Sequence, residues 1–328
     1  MASIAAGKIS ATAVPEVQII ATGFVKALMY AESLSQLKGS PQIQNQFLIS
    51  SDVLVKKAFQ EKVFDSVIRI GGIPTLRFWR DLEFEFKDVP VFNFSNLPFT
   101  GLSRSSKWAA LDELSQVKIE QTRQANETIQ RRDQELQIKK LELLRKYPRS
   151  EPAFVASLSD ENGDLPIYLG NSLPIRHWDA FSCNHSKPIY ANRGANGIDG
   201  QISTYLGWSE SFNSSACFVG DLTAMYDLAA LGFAPYLTPH KRRIFVMNNF
   251  GGQIFQRVFK NDLFINHHEI DFQHWALMWK WNYILIRHPE QMQKVSATTG
   301  LNAVIEIQPD AEQSKLFWNE WDLICQKM

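Results

Sequence analysis

The sequence predicts an α/β protein with two doubly wound, mostly parallel sheets. Three observations carry that expectation. Short apolar runs of strand length alternate with segments of helical composition along most of the chain. Several of these runs end in glycine-rich polar loops, the place where open parallel sheets bind ligands. Texture and charge also change once: residues 1–150 hold 21 Lys and Arg against 16 Asp and Glu, and residues 151–328 hold 13 against 18. A chain of 328 residues is long enough for about two domains. Residues 1–150 and 151–328 are therefore expected to fold as separate domains.

In the first region, Val17–Tyr30 reads as a helix and Gln46–Ser50 as a short strand. Ser51-Asp52 is a candidate N-cap for a helix over Val53–Phe64. Ser66–Ile70 reads as a buried strand closed by Gly71-Gly72, and Pro74 opens a helix carrying Arg77, Trp79 and Arg80. Val89–Phe94 is a further strand. Lys118–Lys146 is rich in Glu, Gln, Lys and Arg and lacks Gly and Pro, so it predicts a long helix. Its apolar positions Ile129, Leu136, Leu141 and Leu144 are too irregular for a heptad seam, and its charges read as a solvated face. Pro148 ends it, and Ser150-Glu151-Pro152 begins the second region. There the strand candidates are Ile167–Leu169, Ile189–Ala191, Ala216–Val219, Ile244–Met247, Tyr283–Ile286 and Ala303–Ile307.

Composition excludes several classes of function. The formal net charge is zero, which argues against nucleic acid or an anionic membrane as partner. No apolar stretch approaches the length of a membrane span. The three cysteines, Cys183, Cys217 and Cys325, are odd in number and widely spaced, as expected in a reducing, cytoplasmic compartment. Met1–Ala13 is poor in acids but lacks the arginines and amphipathic pattern of a targeting peptide.

The strongest chemical signal lies between Gly220 and Gly252. The run Cys217-Phe218-Val219 ends at Gly220-Asp221-Leu222, and Leu222–Leu231 reads as a helix. The run Arg243–Met247 ends at Asn248-Asn249-Phe250-Gly251-Gly252. Two parallel strands would thus deliver a carboxylate, Asp221, and an amide oxygen, Asn249, to one sheet edge, beside glycines that admit close backbone approach. Hard oxygen ligands there suit magnesium and a diphosphate. Two further loops follow strands: Tyr168-Leu-Gly-Asn-Ser-Leu-Pro-Ile-Arg176, and Ala191-Asn-Arg-Gly-Ala-Asn-Gly-Ile-Asp-Gly200. They would bring Arg176 and Arg193 to the same edge, suited to carboxylates or phosphates.

Together these four blocks resemble the thiamine-diphosphate-dependent 2-succinyl-5-enolpyruvyl-6-hydroxy-3-cyclohexene-1-carboxylate synthase (MenD) family. Leu222, where many thiamine-diphosphate enzymes place glycine, points to that subfamily. The resemblance covers residues 165–275, with a weaker echo in Val304-Ile-Glu-Ile307, and Gly71–Arg77 resembles the family's central domain. It implies a transhydrogenase-like central domain over residues 1–150 and a diphosphate-binding domain over 151–328. It also implies thiamine diphosphate with Mg2+ or Mn2+, the metal held by Asp221, Asn249 and the carbonyl of Gly251. The cofactor would further meet Ser172, Asn196, Gly197, Ile198, Gly220 and Leu222, together with Gly252 and Ile254. Arg77, Ser172, Arg176 and Arg193 would bind substrate, with Ile254 and Phe255 as pocket wall. The implied reaction decarboxylates 2-oxoglutarate and adds the product to isochorismate in menaquinone or phylloquinone biosynthesis.

In that family a glutamate of an amino-terminal pyrimidine-binding domain activates the cofactor. Glu16, Glu32 and Glu61 lack its context, so no catalytic residue is assigned. The expectation is a homo- or hetero-oligomer in which a pyrimidine-binding domain or subunit completes the site. The competing reading is a non-catalytic or truncated paralogue that binds cofactor or a partner without turnover. His267-His268-Glu269-Ile-Asp271 matches no metal-ligand spacing, and Trp275, Trp279 and Trp281 read as packing residues. Tyr226 and Asp227 read as supporting rather than catalytic groups.

Overall fold

The computed structural model describes residues 2–5, 28–38, 48–72, 74–97, 99–116, 123–183, 188–193, 196–255, 263, 265–298 and 300–328; of residues 2–5, 28, 115–116, 123–126 and 255 it describes the backbone alone. The chain divides into two compact units, residues 1–142 with 321–328, and residues 143–320. Each contains a sheet whose paired strands are all parallel.

In the first unit, the sheet comprises β1 (Ala2–Ala5), β2 (Leu28–Ala31), β3 (Val67–Ile70), β4 (Val91–Phe94) and β5 (Lys107–Ala109), in the order β2-β1-β3-β4-β5. Helix α1 (Val53–Gln60) buries Leu54, Val55, Ala58 and Phe59. Phe59 stacks on Phe78 of α2 (Arg77–Asp81) with ring centroids 4.9 Å apart. Burying one such side chain stabilises the fold by about 1.5–3 kcal/mol. Helix α3 (Arg123–Lys146) buries Ile129, Asp133, Leu136 and Lys140. Asp133 accepts from the N–H groups of Ile49 and Ser50 (both 3.0 Å), and Lys140 Nζ donates to the two carbonyls of the same residues (both 3.0 Å).

Several expectations are corrected here. Residues 28–31 are strand rather than helix, and residues 17–27 lie outside the described residues. Leu48–Ser50 is a loop held by α3, with residues 46–47 outside the described residues. Asp52 makes no side-chain cap; Ser51 Oγ accepts from Val53 N–H instead (3.2 Å). The charged face of α3 is not wholly solvated, because Asp133 and Lys140 are buried against the segment they grip.

The second unit contains β6 (Ile167–Leu169), β7 (Ile189–Tyr190), β8 (Ser214–Gly220), β9 (Lys241–Met247), β10 (Asn282–Ile286) and β11 (Asn302–Ile307), in the order β10-β11-β9-β8-β6-β7. Strands β6, β8, β9 and β11 are buried almost end to end, as continuous apolar runs require in a parallel sheet covered on both faces. Helix α4 (Glu151–Glu161) starts at Ser150, whose Oγ accepts from Ala153 N–H (3.4 Å), with Pro152 in the first turn. Between the strands run α5 (Leu173–Phe181), α6 (Gln201–Ser209), α7 (Asp221–Met225), α8 (Gln273–Met278), α9 (Gln293–Ser296) and α10 (Ala311–Lys327), the last extending into the first unit. The helix expected over Leu222–Leu231 is shorter than expected: α7 gives way to a 3-10 segment over Leu228–Tyr236 that contains Pro235. Trp275 and Trp281 are buried, and the Nε1–H groups of Trp275 and Trp279 both donate to the Leu228 carbonyl (2.8 and 3.2 Å), which is a packing role.

Candidate functional site

The chain leaves β6 towards β7 on one side and leaves β8 towards β9 on the other, so the sheet order reverses between β6 and β8. That reversal opens a crevice at the strand carboxyl ends. Gly170 and Gly220 end the two strands that flank it. Gly170 N–H donates to the Phe218 carbonyl (2.8 Å), and a Cβ at Gly170 would lie 2.9 Å from Val219 Cγ1. Only glycine lets the loop pass so close.

Asn171, fully buried, knits two loops together. Its Nδ2 donates to the carbonyls of Asn192 (3.1 Å) and Gly197 (2.7 Å), and its Oδ1 accepts from Arg193 Nη1 (2.8 Å). Arg193 is thus aimed from behind by an amide whose orientation is fixed. Ser172 follows with φ 75° and ψ −131°, and its carbonyl accepts from Arg176 Nη1 (2.6 Å). Asn196 and Gly197 are exposed and Ile198 is half-buried. Ser172, Arg193, Asn196, Gly197 and Ile198 therefore sit in loops at one sheet edge, and Arg176 stands beside them near the start of α5. Arg77 belongs to the first unit, where its Nε pairs with Asp81 (3.1 Å) beside Asp52 and Lys56.

Asp221 begins α7 and is buried. Its Oδ1 accepts from Leu222 N–H (2.6 Å), and its Oδ2 from Gly251 N–H (2.9 Å) and His268 Nε2 (3.2 Å). His268 Nδ1 accepts from Ile270 N–H (3.2 Å), which leaves the ring proton on Nε2, facing Asp221. Gly220 pairs in register with Met247, so the β9 loop lies beside Asp221. In that loop Phe250 has φ 61° and Gly251 φ 145°, and Gly252 N–H donates to the Ile265 carbonyl. Ile254 lies in the following 3-10 turn, half-buried; the Phe255 side chain is outside the described residues.

Asn249 Nδ2 donates to Glu151 Oε1 (2.6 Å), and Glu151 Oε2 lies 3.5 Å from His177 Nδ1. Asn249 Oδ1 is buried with no hydrogen-bond partner among the described residues. A buried acceptor left so is costly unless something else engages it. Burial pushes the Glu151 carboxyl up to about 7, against the lowering effect of the Asn249 hydrogen bond and with further raising by Asp221. Burial also raises the Asp221 carboxyl, offset by its hydrogen bonds from Gly251, Leu222 and His268. Two neighbouring buried carboxylates disfavour each other's charge, and among the described residues only His177 and His268 stand within ion-pair distance of them. A cation would relieve both the carboxylates and the orphaned amide oxygen. The described residues contain no group of three His, Cys, Asp or Glu side chains fit for a metal. One carboxylate, an amide oxygen and a carbonyl suit instead a hard ion whose shell phosphate and water complete.

No family model matches the chain. A 2-succinyl-5-enolpyruvyl-6-hydroxy-3-cyclohexene-1-carboxylate synthase of Bdellovibrio bacteriovorus is 43% identical over 303 residues, covering 91% of this chain and 57% of that protein. A protein of the same name from Akkermansia muciniphila is 34% identical over 313 residues, 89% of this chain and 56% of its own. The chain belongs to this synthase family. The Rippkaea orientalis synthase is more distant, 26% identical over 90% of this chain and 54% of its own length. The chain spans about half the length of the curated relatives it matches.

Two residues that the structure brings to this site carry no signal of their own in the sequence. Glu151 lies 98 positions before Asn249 and reads locally as a helix start. His268 belongs to a histidine-rich segment whose spacing fits no metal motif, and only the fold turns it towards Asp221. Among the described residues no helix is long and apolar enough to cross a membrane.

Proposed function

We propose that this chain is the part of a 2-succinyl-5-enolpyruvyl-6-hydroxy-3-cyclohexene-1-carboxylate synthase that anchors thiamine diphosphate through a divalent cation. The observation that carries the reading is the buried Asn249 Oδ1, without a hydrogen-bond partner among the described residues, in the loop beside the buried Asp221 carboxylate at the switch point of the sheet. Asp221, Asn249 and the Gly251 carbonyl would hold Mg2+ or Mn2+. Gly220, Leu222, Gly252, Asn196 and Gly197 would border the diphosphate, and Ile198 and Ile254 the rings. Bound there, thiamine diphosphate would supply the nucleophilic carbon that decarboxylates a 2-oxo acid and passes the fragment to an acceptor.

The remaining site residues then serve to bind and orient. Arg176 and Arg193, with Ser172, would position the carboxylates of 2-oxoglutarate and isochorismate, with Phe255 as wall. Arg77 would likewise bind substrate. In this reading residues 1–150 form the central domain and residues 151–328 the diphosphate domain. A pyrimidine-binding domain or subunit completes each site in an oligomer, in menaquinone or phylloquinone biosynthesis.

Titration calorimetry of the purified chain with thiamine diphosphate, with and without MgCl2, tests the anchor. Binding should require magnesium and be lost in Asp221→Ala; equal affinity in that variant overturns the metal assignment. Adding a separately expressed pyrimidine-binding domain should then elicit carbon dioxide release from 2-oxoglutarate. Magnesium-dependent binding without release in that mixture refutes the synthase reading.

A further inference from the structure

We infer that Glu151 is a positioning residue, which sets the orientation of the Asn249 amide so that its oxygen rather than its nitrogen faces the cation site. An asparagine side chain offers an oxygen on one edge and an NH2 on the other, of nearly equal shape. As a ligand it works in one orientation only, because the flipped amide would turn N–H dipoles towards the cation. Something must therefore choose. Glu151 Oε1 accepts from Asn249 Nδ2 at 2.6 Å, and the opposite edge, Oδ1, is the one left buried without a partner among the described residues. A carboxylate is an acceptor only, so in the observed pairing it satisfies the NH2 edge and would repel the oxygen edge. The choice is made by hydrogen-bond polarity rather than by shape.

The fold holds Glu151 firmly enough to act this way. It stands in the first turn of α4 behind the Ser150 cap, it is buried, and its N–H donates to Ser314 Oγ (3.1 Å). Oε2 is turned towards His177 Nδ1 (3.5 Å), also buried, which leaves Oε1 for Asn249. From the other side Gln253 Nε2 donates to the Asn249 carbonyl (3.3 Å) and steadies the backbone. Partners outside the ligand shell orient metal ligands in this manner, and their loss typically lowers metal affinity about 10- to 100-fold.

The inference rests on the cation reading above, and its test separates the two. Apparent Mg2+ affinity is measured by tryptophan fluorescence of the full chain at saturating thiamine diphosphate, with circular dichroism to verify folding. Glu151→Met removes the acceptor and should weaken Mg2+ about 10- to 100-fold. Glu151→Gln keeps an oxygen able to accept from Asn249 Nδ2 and should recover most of that loss. In the double variant Glu151→Met, Asn249→Asp, position 249 has two equivalent oxygens and no orientation to set, so affinity should return towards wild type. Should Glu151→Met not fold, the single variant Asn249→Asp and the double variant Glu151→Gln, Asn249→Asp decide. In the single variant the new carboxylate faces Glu151 acceptor to acceptor and should bind Mg2+ weakly. Adding Glu151→Gln supplies a donor at that contact and should relieve the loss; no relief overturns the inference. Equal losses in Glu151→Gln and Glu151→Met would show that charge, not orientation, matters, and also overturn it. Wild-type affinity in Glu151→Met alongside lost binding in Asp221→Ala refutes the positioning role alone. Wild-type affinity in both removes the cation reading and this inference with it.

Discussion

Glu306 is fully buried in β11, and replacing it with glutamine should loosen the whole edge that carries the Asn248–Gly252 loop. Its Oε1 accepts from Asn248 Nδ2 (2.7 Å) and Gln308 Nε2 (2.6 Å), and its Oε2 from Phe272 N–H (2.8 Å) and Tyr283 Oη (2.8 Å). Glutamine has one acceptor where the carboxylate has two. If its NH2 replaces Oε2, the hydroxyl of Tyr283 can turn and accept, but Phe272 N–H cannot. If its NH2 replaces Oε1, Asn248 must flip and give up its bond to the Ile270 carbonyl (2.9 Å). Either way at least one hydrogen-bonding group loses its partner, at about 1–3 kcal/mol, and the surviving bonds lose their charge assistance. Relief of burying a charge offsets part of this, so the net cost is about 2–3 kcal/mol. Amide hydrogen exchange at Phe272 and along β9 and β11 reads this without requiring one transition for two units. Exchange should accelerate roughly 30- to 140-fold, at tenfold per 1.4 kcal/mol. An acceleration below about twofold would refute the hub assigned to Glu306.

Two more outcomes follow from the same geometry. Gly251→Ala would place a Cβ 2.6 Å from the Ile265 carbonyl oxygen at φ 145°, so the loop must move; magnesium-dependent cofactor binding should fall at least tenfold in calorimetry, and unchanged binding contradicts the close approach. Burial raises the Cys217 thiol well above its usual range and so depletes its thiolate at pH 8, Cys325 is buried, and Cys183 is exposed. Ellman's reagent should accordingly find one fast thiol in the native chain and three after denaturation, with the fast reaction lost in Cys183→Ser.

The strands of the second unit were legible because each is a compact apolar run, and the crevice was legible because the runs that lead into it, β6 to β9, pass into glycine or asparagine loops with their own polar signatures. What escaped has a common physical cause: partners distant in sequence. Glu151 acts through Asn249, and Glu306 through Asn248 and Phe272, yet each sits in an unremarkable local context. Helix α3 shows the same effect in packing. Its buried stripe Ile129-Asp133-Leu136-Lys140 has regular 4-3-4 spacing, but two of the four positions are charged, so an apolar pattern could not display it. The carboxylate and ammonium there replace hydrophobic contact with hydrogen bonds to one backbone segment. Strand β1 has no signature either, because Ala2–Ala5 is built mainly from small residues without strand preference, and its place between β2 and β3 comes from sheet pairing.

Ser172 gives the most direct way to ask whether the site is maintained against stability. Its φ of 75° with ψ −131° is a conformation that L side chains avoid and glycine adopts freely. Holding a non-glycine residue there costs about 1–3 kcal/mol, and such residues gather at functional sites. Its side chain makes no cap bond to α5, so the hydroxyl does not repay that cost within the helix. Ser172→Gly removes the Cβ strain but also frees the unfolded chain, which returns roughly 0.5–1 kcal/mol of the gain. The net expectation is a stabilisation of about 0.5–2 kcal/mol, read by urea denaturation of the second unit. If the serine is kept for ligand, the same variant should bind substrate more weakly while its magnesium affinity is unchanged, since Asp221 and Asn249 are supported through other residues. A destabilised Ser172→Gly would mean that the hydroxyl or the Cβ supports the loop itself, and the argument from backbone strain to function would fall.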